Sequence, residues 1–390
     1  MRIEDTNSIR SSQGLDTFPP HFSEFGSTGP ISMTPAPCYL ARTPRCFHRV
    51  ETQMPTPDVM CGLKVEPCSR CDHTSLVHQP YSGQRLCGRH LHESIRRRVS
   101  RDLRVQLPLP KDARKEDGSP LRILAAVSGG KDSAIMLKLI VDILGRRRDL
   151  EIIAGVIDEG IDGYRSPSIS CIEELCESLG IELLQLGYEE MGYSRMDEVV
   201  RMMPDIAMKN PQADGMMPCS FCGVFRRQSL NTLAERSGAD VMALGHNLDD
   251  MAQSILMNLQ KGEVDRSVRL APHTSTPIDG LPPRIVPLRW IPEQEVHALA
   301  MVLNVPFHHG DCPHAAGAQR QRSREIIAAL ETETPGARHG LLHSLEQIRQ
   351  MHASSGNTSS EIRSCSLCGG VTSREICQSC VMRAWLDEQK

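Results

Sequence analysis

The chain has 390 residues, 39% of them hydrophobic and 24% charged, with a formal net charge of −4. This length allows two or three domains that fold without disulfides, and the slightly acidic balance excludes a global electrostatic case for nucleic acid, leaving only local patches. Aromatic residues are 4%, too few for broad base stacking, and no segment approaches the about 20 apolar residues that a membrane span needs.

No long apolar run occupies the first thirty residues, so no signal peptide is expected. The chain reads as cytoplasmic. Its fifteen cysteines would leave one unpaired in a secreted disulfide framework, and their metal-type spacings suit a reducing compartment.

Residues 1–60 are rich in Pro, Ser and Thr without a clear period, and read as a disordered extension. Cys38, Cys46 and Cys61 have no partner spacing there and read as incidental thiols. From 61 to 107 the sequence reads as a zinc module followed by a basic helix carrying Arg96, Arg97, Arg98 and Arg101. A linker through Pro108, Pro110 and Gly118-Ser119-Pro120 leads to a central domain at 120–353. Strands are predicted at 121–127, 151–157, 181–186, 240–244 and 285–288, and helices at 134–144, 168–179 and 248–259, with another opening at Pro292-Glu293. Helical patterns recur at 322–330 and 341–351. A Ser/Gly/Asn linker at 354–360 precedes a zinc ribbon at 362–390. The βαβ rhythm predicts an α/β fold with a doubly wound parallel sheet and ligands at the carboxyl ends of its strands.

Ser128-Gly129-Gly130-Lys131-Asp132-Ser133 lies between a predicted strand and helix. Two glycines permit a tight turn and close phosphate approach, the helix start offers free N–H groups, and Lys131 adds charge. The spacing is not that of a Walker A loop. It is the signature of the PP-loop, which grips the pyrophosphate released when ATP forms an adenylate. Asp158 ends the second strand, either to meet the nucleotide or its Mg²⁺ or to cap the next loop. Gly245-His246-Asn247-Leu248-Asp249-Asp250 follows another strand. Gly245 would permit close ligand approach. N-capping accounts for one acid there but not both, which favours a catalytic or Mg²⁺ role for Asp250.

Cys68, Cys71, Cys87 and His90 form two tight pairs, as do Cys365, Cys368, Cys377 and Cys380. Four ligands in two knuckles are the pattern of structural Zn²⁺ sites. Cys219-x-x-Cys222 has only the distant Cys312 for company. These three could hold three irons of a [4Fe–4S] cluster, act as a redox pair or persulfide carrier, or simply be buried thiols.

Together, SGGKDS at 128–133, PCSFCGVFRRQ at 218–228, GHNLDDMAQSILMNL at 245–259, PRIVPLRWIPEQEV at 283–296, Cys312-Pro313 and both terminal modules resemble tRNA 2-thiolation proteins of the PP-loop ATPase superfamily. The branch matched carries two terminal zinc modules, and the resemblance covers most of 68–380. It implies that ATP adenylates the C2 oxygen of a tRNA uridine and that sulfur then displaces AMP. It also implies a [4Fe–4S] cluster on Cys219, Cys222 and Cys312, whose open iron presents sulfide, and a catalytic acid at Asp250. Arg226 matches a basic catalytic position that other members fill with lysine, and arginine is ill suited to proton transfer. A homodimer and a ubiquitin-like sulfur carrier with a C-terminal thiocarboxylate are further implications. The CSFCGVFRRQ wording resembles the wobble-uridine branch, with a T-loop uridine or a cytidine as alternatives. A zinc-bearing RNA-binding scaffold is the non-enzyme alternative, against which the intact SGGKDS and Asp250 speak. Arg96–Arg98, Arg146–Arg148, Arg226–Arg227 and Arg320, Arg322 and Arg324 are basic clusters that could follow an RNA backbone.

Overall fold

The computed structural model of the chain describes residues 66–273, 280–315, 319–355 and 363–389. The expected extension at 1–60, with Cys38 and Cys46, lies outside these residues, as do Cys61 and most of the 354–360 linker. A hairpin of β1 (Val77–Gln79) and β2 (Gln84–Leu86) leads into α1 (Gly88–Gln106). Then come β3 (Leu121–Ala126), α2 (Lys131–Leu144), β4 (Leu150–Asp158), α3 (Arg165–Leu179) and β5 (Leu183–Gly187). Next are α4 (Met196–Lys209), α5 (Pro218–Arg236), β6 (Val241–Leu244), α6 (Leu248–Gln260), α7 (Val264–Val268) and β7 (Arg284–Ile285). Helices α8 (Glu293–Val302), α9 (Gln319–Glu333) and α10 (Ala337–Ser354) precede a second hairpin, β8 (Arg363–Ser364) with β9 (Val371–Thr372), and the final α11 (Gln378–Asp387).

Strands β3 to β7 form one parallel sheet in the order β5-β4-β3-β6-β7. The order reverses between β3 and β6, so a ligand crevice opens at their carboxyl ends. Side chains alternate across the sheet. Ile123 and Ala125 face a core completed by α1, α2, α3 and α8, whereas Leu124 faces a second core with α4, α5 and α11. The predicted strands are present with shifted edges. The last, expected at 285–288, is only Arg284–Ile285. Val286 N–H donates to Gln106 Oε1 (2.6 Å) instead of a ladder, and Pro287 has no N–H to give. Helices α4, α5, α7 and α11 have no counterpart among the sequence-predicted elements. No described helix is long and apolar enough to cross a membrane.

Both terminal cysteine segments share the central cores. Leu91, Ile95, Val99 and Leu103 of α1 lie in the first core, and Met382, Trp385 and Leu386 of α11 in the second. The modules therefore cover opposite faces of the sheet. Helix α1 is also held by a buried ion pair: Arg289 Nε and Nη2 donate to the two Asp102 oxygens at 2.9 Å each, and Trp290 Nε1 adds a third bond (3.2 Å). Removing Asp102 leaves Arg289 with Glu346 as its remaining carboxylate (2.9 Å). Asp102→Ala should therefore lose stability in urea unfolding, by less than the about 3–5 kcal/mol of a wholly uncompensated buried charge, and Asp102→Leu combined with Arg289→Met should lose less still.

Candidate active site and metal centres

The SGGKDS turn joins β3 to α2. Gly129 has φ +86°, and a Cβ there would lie 2.5 Å from Ser168 O, so only glycine fits. Ser133 Oγ accepts from Ser128 N (3.0 Å) and donates to Gly130 O (3.0 Å), which closes the loop. Its hydroxyl is thus engaged within the loop. Lys131 Nζ is engaged by Glu293 (2.8 Å) and Asp132 (3.0 Å). Burial opposes the Lys131 charge, but these two carboxylates outweigh it and raise its pKa.

Asn247 N-caps α6 and also donates to Asp132 Oδ1 (3.0 Å), tying the β6–α6 turn to the PP-loop. Asp250 completes a capping box with Asn247. Asp249 accepts from Glu293 N (2.8 Å) and pairs with Arg338 (2.7 Å). Both acids therefore have structural partners, which corrects the premise that capping leaves Asp250 unexplained. The Asp250 Oδ1 atom lies 3.6 Å from Arg320, and the residue lines the cleft with Ser128, Gly130 and Asp132. Gly245 also lines the cleft, and a Cβ there would stand 2.9 Å from Ser133 Cα, so the PP-loop backbone approaches it closely.

At the end of β4, Asp158 Oδ1 accepts from Gly160 N (2.9 Å), which realises the loop-capping alternative. The next residue reaches the cleft instead. Glu159 is 3% exposed; its oxygens pair with Arg165 Nε and Arg226 Nε, each at 2.8 Å. Arg165 donates to Ser128 O (2.7 Å) and to Ile157 O. Arg226 Nη2 donates to Cys222 Sγ (3.0 Å). Glu159 foremost, and Cys222 after it, raise the already high pKa of Arg226, so this residue is a fixed cation. Sequence reasoning missed Glu159 and Arg165; the only available signal was an acid adjacent to Asp158.

Cys219 and Cys222 occupy the first turn of α5. The Cys312 loop sits over that turn, with Cys219 Sγ 4.0 Å from His314 O. Tyr188 donates to Cys222 O (2.9 Å) and approaches its Sγ (3.7 Å). Burial raises the Cys312 thiol, and the nearby Cys222 and Cys219 add to that. The three cysteines thus converge beside Arg226. Three thiols gathered at one helix start are a donor set that could hold three irons of a [4Fe–4S] cluster.

Each terminal group gathers its four ligand atoms within 4.8 Å of one another. In the first, His90 Nδ1 lies 3.4 Å from Cys68 Sγ, 3.5 Å from Cys71 Sγ and 3.4 Å from Cys87 Sγ, and Cys71 and Cys87 are 3.8 Å apart. In the second, Cys368 and Cys377 are 3.6 Å apart and Cys365 and Cys380 are 4.0 Å apart. A zinc tetrahedron with Zn–S of about 2.3 Å and Zn–N of about 2.0 Å has edges of about 3.5–3.8 Å. Either group could hold one tetrahedral metal ion.

A doubly wound parallel sheet with this loop at its switch point defines a nucleotide-activating enzyme of the PP-loop ATPase kind. The chain is 35% identical over 324 residues to the tRNA 2-thiolation protein NcsA of Haloferax volcanii, spanning 80% of this chain and 97% of that protein. It is 31% identical over 317 residues to the cytoplasmic tRNA 2-thiolation protein 1 of Chlamydomonas reinhardtii, spanning 81% and 83%. The solved U34-tRNA thiolase NcsA from Methanococcus maripaludis, determined with its [4Fe-4S] cluster, matches with a TM-score of 0.65 at 30% identity, covering 82% of this chain and 96% of that one. No family model matches the chain. The chain belongs to the tRNA 2-thiolation proteins, and it is a tRNA sulfurtransferase.

Glu159→Gln would remove the charge that compensates both Arg165 and Arg226. Thiolation in vitro should fall about 10–100-fold, the usual cost of losing an orienting partner. Unchanged turnover would show that the Arg226 position does not depend on Glu159.

Proposed function

We propose that this chain converts the wobble uridine of tRNA to 2-thiouridine by adenylating its C2 oxygen. The observation that carries the reading is the Glu159 bridge, which joins the PP-loop through Arg165 to the cysteine turn through Arg226. The choice of the wobble position rests on the likeness to a U34-tRNA thiolase.

A uridine carbonyl is a poor electrophile until its oxygen becomes a leaving group. Its C2 oxygen attacks the ATP α-phosphate and pyrophosphate leaves, held by the backbone N–H groups of Gly129 and Gly130 and the α2 N-terminus. Lys131 exchanges Glu293 for phosphate oxygens. Asp250 takes the N3 proton that uridine gives up as O2 is phosphorylated. Mg²⁺ would accompany the phosphates beside Asp250 and Asp132. Sulfur then bonds to C2, the C2–O bond breaks and AMP departs with the oxygen. Arg226 stabilises negative charge as AMP leaves and moves no proton. Cys219, Cys222 and Cys312 would hold a [4Fe–4S] cluster that, when bound, supplies sulfide at its open iron. The donor set at each end fits structural Zn²⁺. A thiocarboxylated ubiquitin-like carrier as sulfur source, a homodimer and a cytoplasmic setting belong to the same reading.

Two measurements test these roles. Cys219→Ser/Cys222→Ser/Cys312→Ser should still release pyrophosphate from ATP with tRNA but form no thiolated product. Thiolation by this variant would rule out the cysteine role. Elemental analysis should find two zinc ions per chain, with Cys71→Ser and Cys368→Ser each losing one. Full zinc content in either variant would contradict its site.

A further inference from the structure

Several arginines of the basic clusters are neutralised by their own neighbours: Arg98 pairs with Glu295, Arg147 with Asp149, Arg320 with Asp250 and Arg324 with Glu293. Arg227 and Arg284 are not, and they stand beside the nucleotide cleft. Arg284 lies on the edge strand β7, where Ile285 points into the α1–α2 core. Alternation therefore sends Arg284 to the α5 face, and its Nη2 donates to Asn231 Oδ1 (2.6 Å). Asn231 is one helical turn beyond Arg227 on α5. Leu230, between them in sequence, lines the nucleotide cleft.

Among the described residues, neither Arg227 nor Arg284 has a carboxylate within ion-pair distance, and the buried Arg284 Nε has no hydrogen-bond partner. The surrounding groups do not compensate. Asn231 is neutral, Arg266 is itself paired to Glu263 (2.9 Å), and burial and Arg284 together push His273 down to about 4, leaving it uncharged. Burial, and Arg227 after it, push Arg284 down to about 10. Two neighbouring cations with no acid partner among the described residues repel one another, and an arriving anion would relieve that repulsion. The PP-loop already offers its own donors to the ATP phosphates at the β3–β6 crevice, while this pair stands on the β7 side. The other polyanion that must enter is the RNA.

We propose that Arg227 and Arg284 form a phosphate subsite that takes a backbone phosphate of the tRNA beside the uridine being activated. This subsite rests on the tRNA-thiolase reading. A planar guanidinium pair matches phosphate geometry, and such a contact fixes the register of the strand without reading its bases.

The test is a salt titration of tRNA binding, alongside ATP binding and thermal unfolding, for the full chain and for Arg227→Gln, Arg284→Gln and Arg266→Gln. Each of the first two should weaken tRNA binding several-fold and flatten the logarithmic salt slope by about 0.7–0.9. Arg266→Gln should match the parent, since Glu263 already neutralises that charge. ATP affinity should stay within twofold. Arg284→Gln should unfold at the same temperature or higher, because it removes an uncompensated charge; a lower temperature with unchanged tRNA binding would make the residue structural and overturn the subsite. Loss of ATP affinity would assign the pair to the nucleotide and overturn it equally. If the parent chain binds no tRNA, the thiolase reading itself fails. If the parent binds and both variants bind alike, only the subsite fails.

Discussion

A carboxylate buried between two guanidinium groups organises this site. Glu159 is sealed from water, where a lone charge would be prohibitively costly, and it is tolerated because Arg165 and Arg226 compensate it. Each arginine in turn fixes a different functional element. Arg165 grips the main chain of the PP-loop and the end of β4, and Arg226 reaches the Cys222 sulfur on α5. One negative charge thereby links the PP-loop to the cysteine turn. In the proposed reaction the C2 oxygen and then C2 itself must react at these two places in turn, and small misplacements are expensive in rate.

The terminal four-ligand modules reinforce the same arrangement from outside. Module helix α11 packs its Trp385 edge-on to Phe221, which lies between Cys219 and Cys222 (ring centroids 6.3 Å apart). Tyr193 Oη and Ser379 Oγ share a hydrogen bond (2.7 Å), and with the Trp385–Phe221 contact this sets the second four-ligand group behind the cysteine turn. On the other face, α1 carries the first four-ligand group at its start and meets the segment just after β7, with Gln106 bonded to Val286 and Asp102 to Arg289. A metal ion, where one binds, stabilises small modules of this kind. Here the modules also brace the helix and the edge of the sheet that flank the cleft.

Features encoded locally could be read from the sequence. The apolar runs of β3, β4 and β6, the SGGKDS turn and both four-ligand groups depend on neighbours a few positions apart. The β5-β4-β3-β6-β7 order followed from the βαβ rhythm only as a class. Helix α5 escaped notice because it packs on the sheet by one side and on α11 by another, so its apolar residues form no single stripe. Helix α4 contains Pro204, ordinarily a breaker. Whether Asp158 or Glu159 enters the cleft depends on where β4 ends and turns, which no composition rule fixes. The engagement of Lys131 by Glu293 joins positions 162 residues apart. The capping of α6 by Asp250 was half visible; that Asp249 would be claimed by Arg338, on a distant helix, was not.

The most direct measurement is mass spectrometry of tRNA nucleosides from cells with and without the gene, with complementation by the full chain. The expected result is loss of 2-thiouridine at the wobble position and its return on complementation. Unchanged wobble 2-thiouridine, in cells with no second gene of this kind, would contradict the thiolase account and leave an ATP-using protein with another target.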